Sequence, residues 1–192
     1  MKTKITYKDL VALKHYYHPL KIGIKTNYSA TIPIFIREYR NKVKNKEDII
    51  WLLCRNDYMT DRNMRLFAVW CAREALKLIS EPDQRSINAC EVAEKYANGK
   101  ATKEELNTIR DYIRTTNNIA FNAVRDPVNA VIFDIARDNA SDAAISAAKN
   151  YTNAYASSID WYNTGDVKRD AWDIAWDNIC SIQIVKLLTY FE

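Results

Sequence analysis

Glycine is scarce in this 192-residue chain: there are three, each isolated. A loop that cradles phosphate needs several glycines close together, so Walker and Rossmann fingerprints are excluded. Histidine is scarcer still, with only His15 and His18. A Ser/His/Asp or Cys/His mechanism would have to take its base from a short segment that Pro19 cuts off, which argues against nucleophilic catalysis. The two histidines stand at i, i+3, as a metal site can begin, but no HExxH surrounds them and no Cys or carboxylate stands at convincing ligand spacing. An exposed helix end is the plainer reading, and neither metal nor cofactor is expected. The four cysteines (Cys54, Cys71, Cys90, Cys180) lack CxxC spacing, and three fall on or beside apolar helical positions. They read as reduced core thiols of a cytosolic protein. Four prolines alongside three glycines favour long regular elements over many short strands. The N-terminus, MKTKITYKDL, has no apolar run of signal-peptide length, and no stretch of about 18 apolar residues occurs anywhere. The expectation is a cytoplasmic protein that neither spans nor sits on a membrane.

What is present is ordinary in amount and uneven in placement. Hydrophobic residues make up 48% and charged residues 27%, enough to bury a core without disulfides or metals. The net charge is +4. Residues 1–55 hold 12 Lys/Arg against 4 Asp/Glu, a net +8, whereas residues 126–192 hold 5 against 10, a net −5. A basic front and an acidic back attract different partners, or each other.

Most of the chain reads as helix. Thr6 with Asp9 makes a capping box for a helix over 6–17. Residues 20–36 are the one strand-like stretch, with a turn at Asn27–Ser29 and Pro33 weakening the second strand. Asn45 reads as the N-cap of a helix over EDIIWLLCRN. Thr60 or Asp61 opens the clearest amphipathic helix, with Met64, Phe67, Ala68, Cys71, Ala72, Ala75, Leu78 and Ile79 on its stripe and Arg62, Arg65, Arg73 and Lys77 off it. Pro82 suits the first turn of the next helix, and Asn98-Gly99 ends it. Thr102 with Glu105 boxes the start of another, continuing to about Val124. Asp126-Pro127 opens a further helix with Val128, Val131, Ile132 and Ile135 facing inward. The Ala/Ser-rich run SDAAISAAKNYTNAYASSIDW reads as a buried central helix whose small residues let axes approach closely. Thr164-Gly165-Asp166 precedes a long last helix with Ala171, Ile174, Ala175, Ile182, Val185 and Leu188 as its core stripe. The fold class is therefore all-α: a multi-helix bundle of seven to eight helices over 46–192. A basic N-terminal extension, 1–45, carries a small extended or β-hairpin element and packs on the bundle.

The stretch from Met64 to about Asp160 resembles a family of small, Ala-rich, all-helical proteins identified as bacterial immunity proteins. The residues that carry the resemblance are AVWCAREALKLI, then Pro82-Asp83-Gln84-Arg85, Ala89, Tyr96, Gly99, and the Ala pairs of AFNAVRDPVNAVIFDIARDNASDAAISAAKNYTNAYA. No second proline follows near Arg85, and Tyr96 stands where the family commonly has Trp. The resemblance implies a protein that binds and neutralises a toxin or other effector. Chains of this look also occur in phages and mobile elements, where small inhibitors of host defence are common.

Three groups of residues are candidates for partner binding. The basic run Arg37, Arg40, Lys42, Lys44 and Lys46, with Tyr39 between, suits phosphates, an acidic protein surface, or plain solvation. Asp83 and Arg85 read as a cap with a local ion pair, or as a polar cluster with Arg65 or Arg73 that grips a partner. Asp166, Asp170, Asp173 and Asp177 recur at helical spacing beside Trp172 and Trp176. They suit a solvated stripe, a cation or acid–base pair, or a partner-binding edge with indole anchors. Taken together, the sequence reads as a non-enzymatic protein-binding inhibitor, immunity-like or a phage counter-defence protein, acting by surface occlusion. A nucleic-acid or nucleoprotein binder using residues 37–46 is the alternative, and a homodimer stays open.

Overall fold

The computed structural model describes residues 1–12, 18–55, 57–114, 136–157 and 165–191. Eight α-helices and two short strands are found among them: β1 (Lys4–Thr6), α1 (Tyr7–Ala12), a 3₁₀ turn (Pro19–Ile22), β2 (Ser29–Thr31), α2 (Ile32–Tyr39), α3 (Glu47–Leu53), α4 (Asp61–Leu76), α5 (Gln84–Ala97), α6 (Lys103–Arg114), α7 (Ala136–Ser157) and α8 (Gly165–Leu188). The molecule is an all-α bundle with a small two-stranded antiparallel sheet at its N-terminal end.

The sheet uses other residues than the alternation over 20–36 suggests. β1 pairs with β2 in the register Lys4↔Thr31, Ile5↔Ala30, Thr6↔Ser29. Ile32, Ile34 and Ile36 alternate like a strand, yet Ile32, Phe35, Ile36 and Tyr39 are the buried set, which is a helical spacing. Pro33 sits in the first turn of α2, where its missing N–H costs nothing. Ile5, Ile24, Ile32, Phe35 and Ile36 join one core cluster with Leu53, Phe67 and Ile184, so the N-terminal segment shares the bundle's interior.

Helix starts follow local chemistry closely. The Thr6 N–H donates to Asp9 Oδ2 at 2.9 Å, and the Asp9 N–H donates back to Thr6 Oγ1 at 3.3 Å. Thr60 Oγ1 accepts from the Asn63 N–H. Thr102 and Glu105 exchange bonds of 2.7 and 3.2 Å. Two starts differ from the sequence reading. Pro82, expected in the first turn of α5, instead precedes its N-cap; that cap is Asp83, in keeping with the cap reading of this residue, its side chain accepting from the Arg85 N–H. At α3 the cap position belongs to Lys46, and Asn45 contributes its backbone carbonyl, which accepts from the Asp48 N–H at 3.1 Å. Helix α5 ends as expected, with Gly99 at φ +68°.

α4 packs along α7, α7 along α8, and α5 lies between α4 and α6. α7 buries Ala140, Ala143, Ala144, Ala147 and Ala148, and α4 buries Ala68, Cys71, Ala72 and Ala75, so small side chains line this central contact. Two stripes need correction. On α4, Arg65 is buried and stacks its guanidinium over Tyr96 at 5.1 Å, while Leu78 lies beyond the helix end and is exposed. On α8 the inward face is Ala175, Ile179, Cys180, Gln183, Ile184 and Leu187; Ile174, Ile182 and Val185 point outward. Gln183 faces inward because its Nε2 donates to the Ala144 carbonyl at 2.7 Å, which ties α8 to α7. The helix expected over 126–135, the continuation of α6 to Val124, His15 and Thr164 fall outside the described residues.

All four cysteines are free and buried. Burial pushes the thiols of Cys54 and Cys71 well up and that of Cys90 up to about 12, so they stay protonated at neutral pH. Among the described residues no helix is long and apolar enough to cross a membrane.

Candidate functional site

Two candidate groups that lie about 130 positions apart in sequence meet in space. The α2–α3 connection carries Lys44, Asn45 and Lys46, and it runs beside the N-terminal half of α8, which carries Trp172, Asp173, Trp176 and Asp177. Glu47 from α3 and Lys149 from α7 complete the lining of a concavity of about 580 Å³.

The indoles of Trp172 and Trp176 stack with centroids 5.1 Å apart and planes 11° from parallel. Their i, i+4 spacing on α8 places one ring a helical turn above the other. Each ring is fixed by its own N–H. Trp176 Nε1 donates to Glu47 Oε2 at 3.3 Å, and Trp172 Nε1 donates to Asn153 Oδ1 at 3.3 Å. Both indoles are half-buried, so part of each remains on the surface.

Lys46 closes the seam. Its Nζ bonds to Asp177 Oδ2 at 2.5 Å and to Ser181 Oγ at 2.8 Å, and its side chain is only 11% exposed. Basic front and acidic last helix thus attract each other here, through the Lys46–Asp177 pair. Behind it, burial pushes the Cys180 thiol up to about 12, with the Glu47 and Asp177 charges adding to the effect and Lys46 opposing it. That sulfur is a packing group at neutral pH.

Lys44, Lys149 and Asp173 are exposed and have no ion-pair partner among the described residues. Asp170 is exposed on the same helix; the side chain of Asp166 falls outside the described residues. Of the basic run, Arg37, Arg40 and Lys42 are exposed, Lys42 lies over the Tyr39 ring at 4.9 Å, and Tyr39 itself is 8% exposed and belongs to the core.

The other sequence candidates sit elsewhere and each has its own bond. Arg85 grips Asp83 with two parallel bonds, Nε to Oδ1 at 3.0 Å and Nη2 to Oδ2 at 2.6 Å, and its guanidinium lies over Tyr112. Arg73 pairs with Glu94 at 2.6 Å across α4 and α5. Arg65 is held on Tyr96. His18 sits edge-on to Tyr7, whose hydroxyl lies 3.4 Å from Nε2. No group of three or more His, Cys, Asp and Glu gathers at metal-binding distance among the described residues.

Lys44, Lys46, Trp172, Asp173, Trp176 and Asp177 are legible in the sequence as two groups whose charges suggest mutual attraction without specifying which residues pair; Glu47, Lys149 and Asn153 are not among them. Glu47 was legible only as a helix-start carboxylate, and Lys149 as one lysine in an Ala-rich helix. The chain matches no protein-family model, no curated protein and no solved structure.

Proposed function

We propose that the protein is a non-enzymatic binder of another protein, which it inhibits or neutralises by covering a working surface. The observation that carries this reading is the stacked Trp172–Trp176 pair, half-buried in a concavity with charges of both signs at its rim. Indoles already fixed in place lose little freedom on binding, and a desolvated aromatic centre with a polar rim is the usual anatomy of a protein interface. The resemblance to immunity proteins points the same way, and the phage-borne chains of similar look extend it to counter-defence. A cytoplasmic location belongs to the same proposal.

The second reading, nucleic-acid contact, draws on Arg37, Arg40, Lys42 and Lys44, all exposed and without carboxylate partners among the described residues. Aromatic platforms beside unpaired cations are also how single strands are held. Asp170 and Asp173, exposed on the neighbouring helix, oppose a phosphate backbone there.

Immobilised protein and nuclease-treated lysate of its native host separate the two. The protein-binding reading expects one stoichiometric protein species retained by the wild type and lost with Trp172→Ala, and no mobility shift of free DNA or RNA. Retention that disappears on nuclease treatment, or a shift of free nucleic acid that weakens steeply with salt, would instead establish the second reading.

A further inference from the structure

We propose that the pocket floored by Trp172 and Trp176 takes an acidic segment of the partner, with an apolar or aromatic side chain against the indoles and flanking carboxylates on Lys44 and Lys149. This deepens the protein-binding reading and rests on it.

Some of the charges at the pocket are already used within the protein, and those that are not decide what it can hold. Among the described residues, six ionic side chains line it: Lys44, Lys46, Lys149, Glu47, Asp173 and Asp177. By formal charge the set is neutral, which would suit any partner. Three of the six are consumed internally. Glu47 accepts the Trp176 N–H, and Lys46 and Asp177 neutralise each other while Lys46 also bonds Ser181. Diverting any of these three to a ligand breaks a bond that orients Trp176 or joins α3 to α8. Among the described residues, what stays available is Lys44, Lys149 and Asp173, two cations against one anion.

The two free cations come from different elements, Lys44 from the α2–α3 connection and Lys149 from α7, with the indoles of α8 forming the third side. A ligand on the rings is therefore flanked by ammonium groups contributed by two walls. The positive charge also continues outward from Lys44 through Lys42 and Arg40, both exposed and unpaired with any described carboxylate. A basic segment would find, among the described residues, only Asp173 free inside the pocket. A nucleic-acid strand carries phosphate at every step and would meet Asp173 and Asp170, whereas an acidic peptide can confine its carboxylates to the lysine walls.

The test is ¹⁵N NMR of the indole N–H resonances, those of Trp172 and Trp176 being assigned with Trp172→Phe and Trp176→Phe. Three probes are titrated: the capped pentapeptide Glu-Glu-Phe-Glu-Glu, its twin with Lys for every Glu, and an oligothymidylate of eight nucleotides. The expected result is saturable movement of both resonances with the acidic peptide only. Binding should weaken about 10-fold or more in the Lys44→Glu/Lys149→Glu variant, on the scale of two lost charge contacts. Unmoved Trp51 and Trp70 resonances certify that this variant is folded. An acidic peptide that leaves both resonances still, or binds the reversed variant equally well, overturns the inference. Movement by the basic twin alone overturns it and leaves the protein-binding reading standing. Movement by the oligothymidylate with neither peptide active overturns both.

Discussion

Asp9 shows how much a single carboxylate can organise at the start of this chain. It accepts from the Thr6 N–H and hydroxyl at 2.9 and 2.6 Å and from Lys2 Nζ at 2.7 Å. Burial alone would push its carboxyl up; the Lys2 ammonium and the two Thr6 donors outweigh that and hold it below the usual carboxylate value. A carboxyl depressed in the folded state stabilises fully above its unfolded pKa, and the contribution fades as pH falls through the folded pKa. Asp9→Ala should therefore lower stability at pH 7 by about 1 kcal/mol, the usual worth of a helix cap. The gap between wild type and variant in urea midpoint should narrow below about pH 4, where an ordinary Asp becomes protonated. A gap that stays constant from pH 7 to pH 3 would mean that packing, not the charged box, is what the substitution removes. The three residues that fix the candidate site, Lys46, Glu47 and Asn153, act in the same way: each spends its polar group on orienting a neighbour.

At the scale of elements, what the sequence revealed was whatever depends on a few adjacent residues. The boxes at Thr6/Asp9 and Thr102/Glu105, the Thr60 cap and the Gly99 stop are all local chemistry, and all are found. α2 was hidden because Ile32, Ile34 and Ile36 satisfy a strand's period while Phe35 and Tyr39 complete a helix's, and only tertiary burial arbitrates. The face of α8 was misjudged for a related reason. Isoleucine and valine occur on both sides of that helix, and a polar Gln183 takes an inward position through a bond to α7 that no periodicity displays. Gly99 provides a clean test of the α5 stop. A Cβ there would meet nothing within 4 Å, so the cost of a side chain is purely its backbone at φ +68°. Gly99→Ala should destabilise by about 1–2 kcal/mol in chemical denaturation, and Gly99→Asn by less, because Asn tolerates the left-handed region. Equal losses for the two would show that the left-handed strain is not the determinant.

Across the whole molecule, the candidate site exists because the α2–α3 connection meets the N-terminal half of α8. The segment before α3 is strongly basic, the last helix is acidic, and Lys46–Asp177 with Glu47–Trp176 joins them over a separation of about 130 residues. The charge pattern suggests that a basic front and an acidic back attract each other but not which residues pair; the structure brings Lys44 and Lys46 of the basic run and Trp172, Asp173, Trp176 and Asp177 of the last helix to one concavity. The remaining candidates, Arg65, Arg73, Asp83 and Arg85, are engaged in contacts of their own on α4 and α5. This division yields the most direct test of the account: equilibrium binding of the retained partner to Trp172→Ala and to Arg85→Ala, each checked for an unchanged melting temperature. The expected result is a loss of about 30-fold or more for Trp172→Ala, the roughly 2 kcal/mol of an interface anchor, and a change within about 2-fold for Arg85→Ala. Undiminished binding by Trp172→Ala together with a large loss in Arg85→Ala would contradict it and move the working surface to α4 and α5.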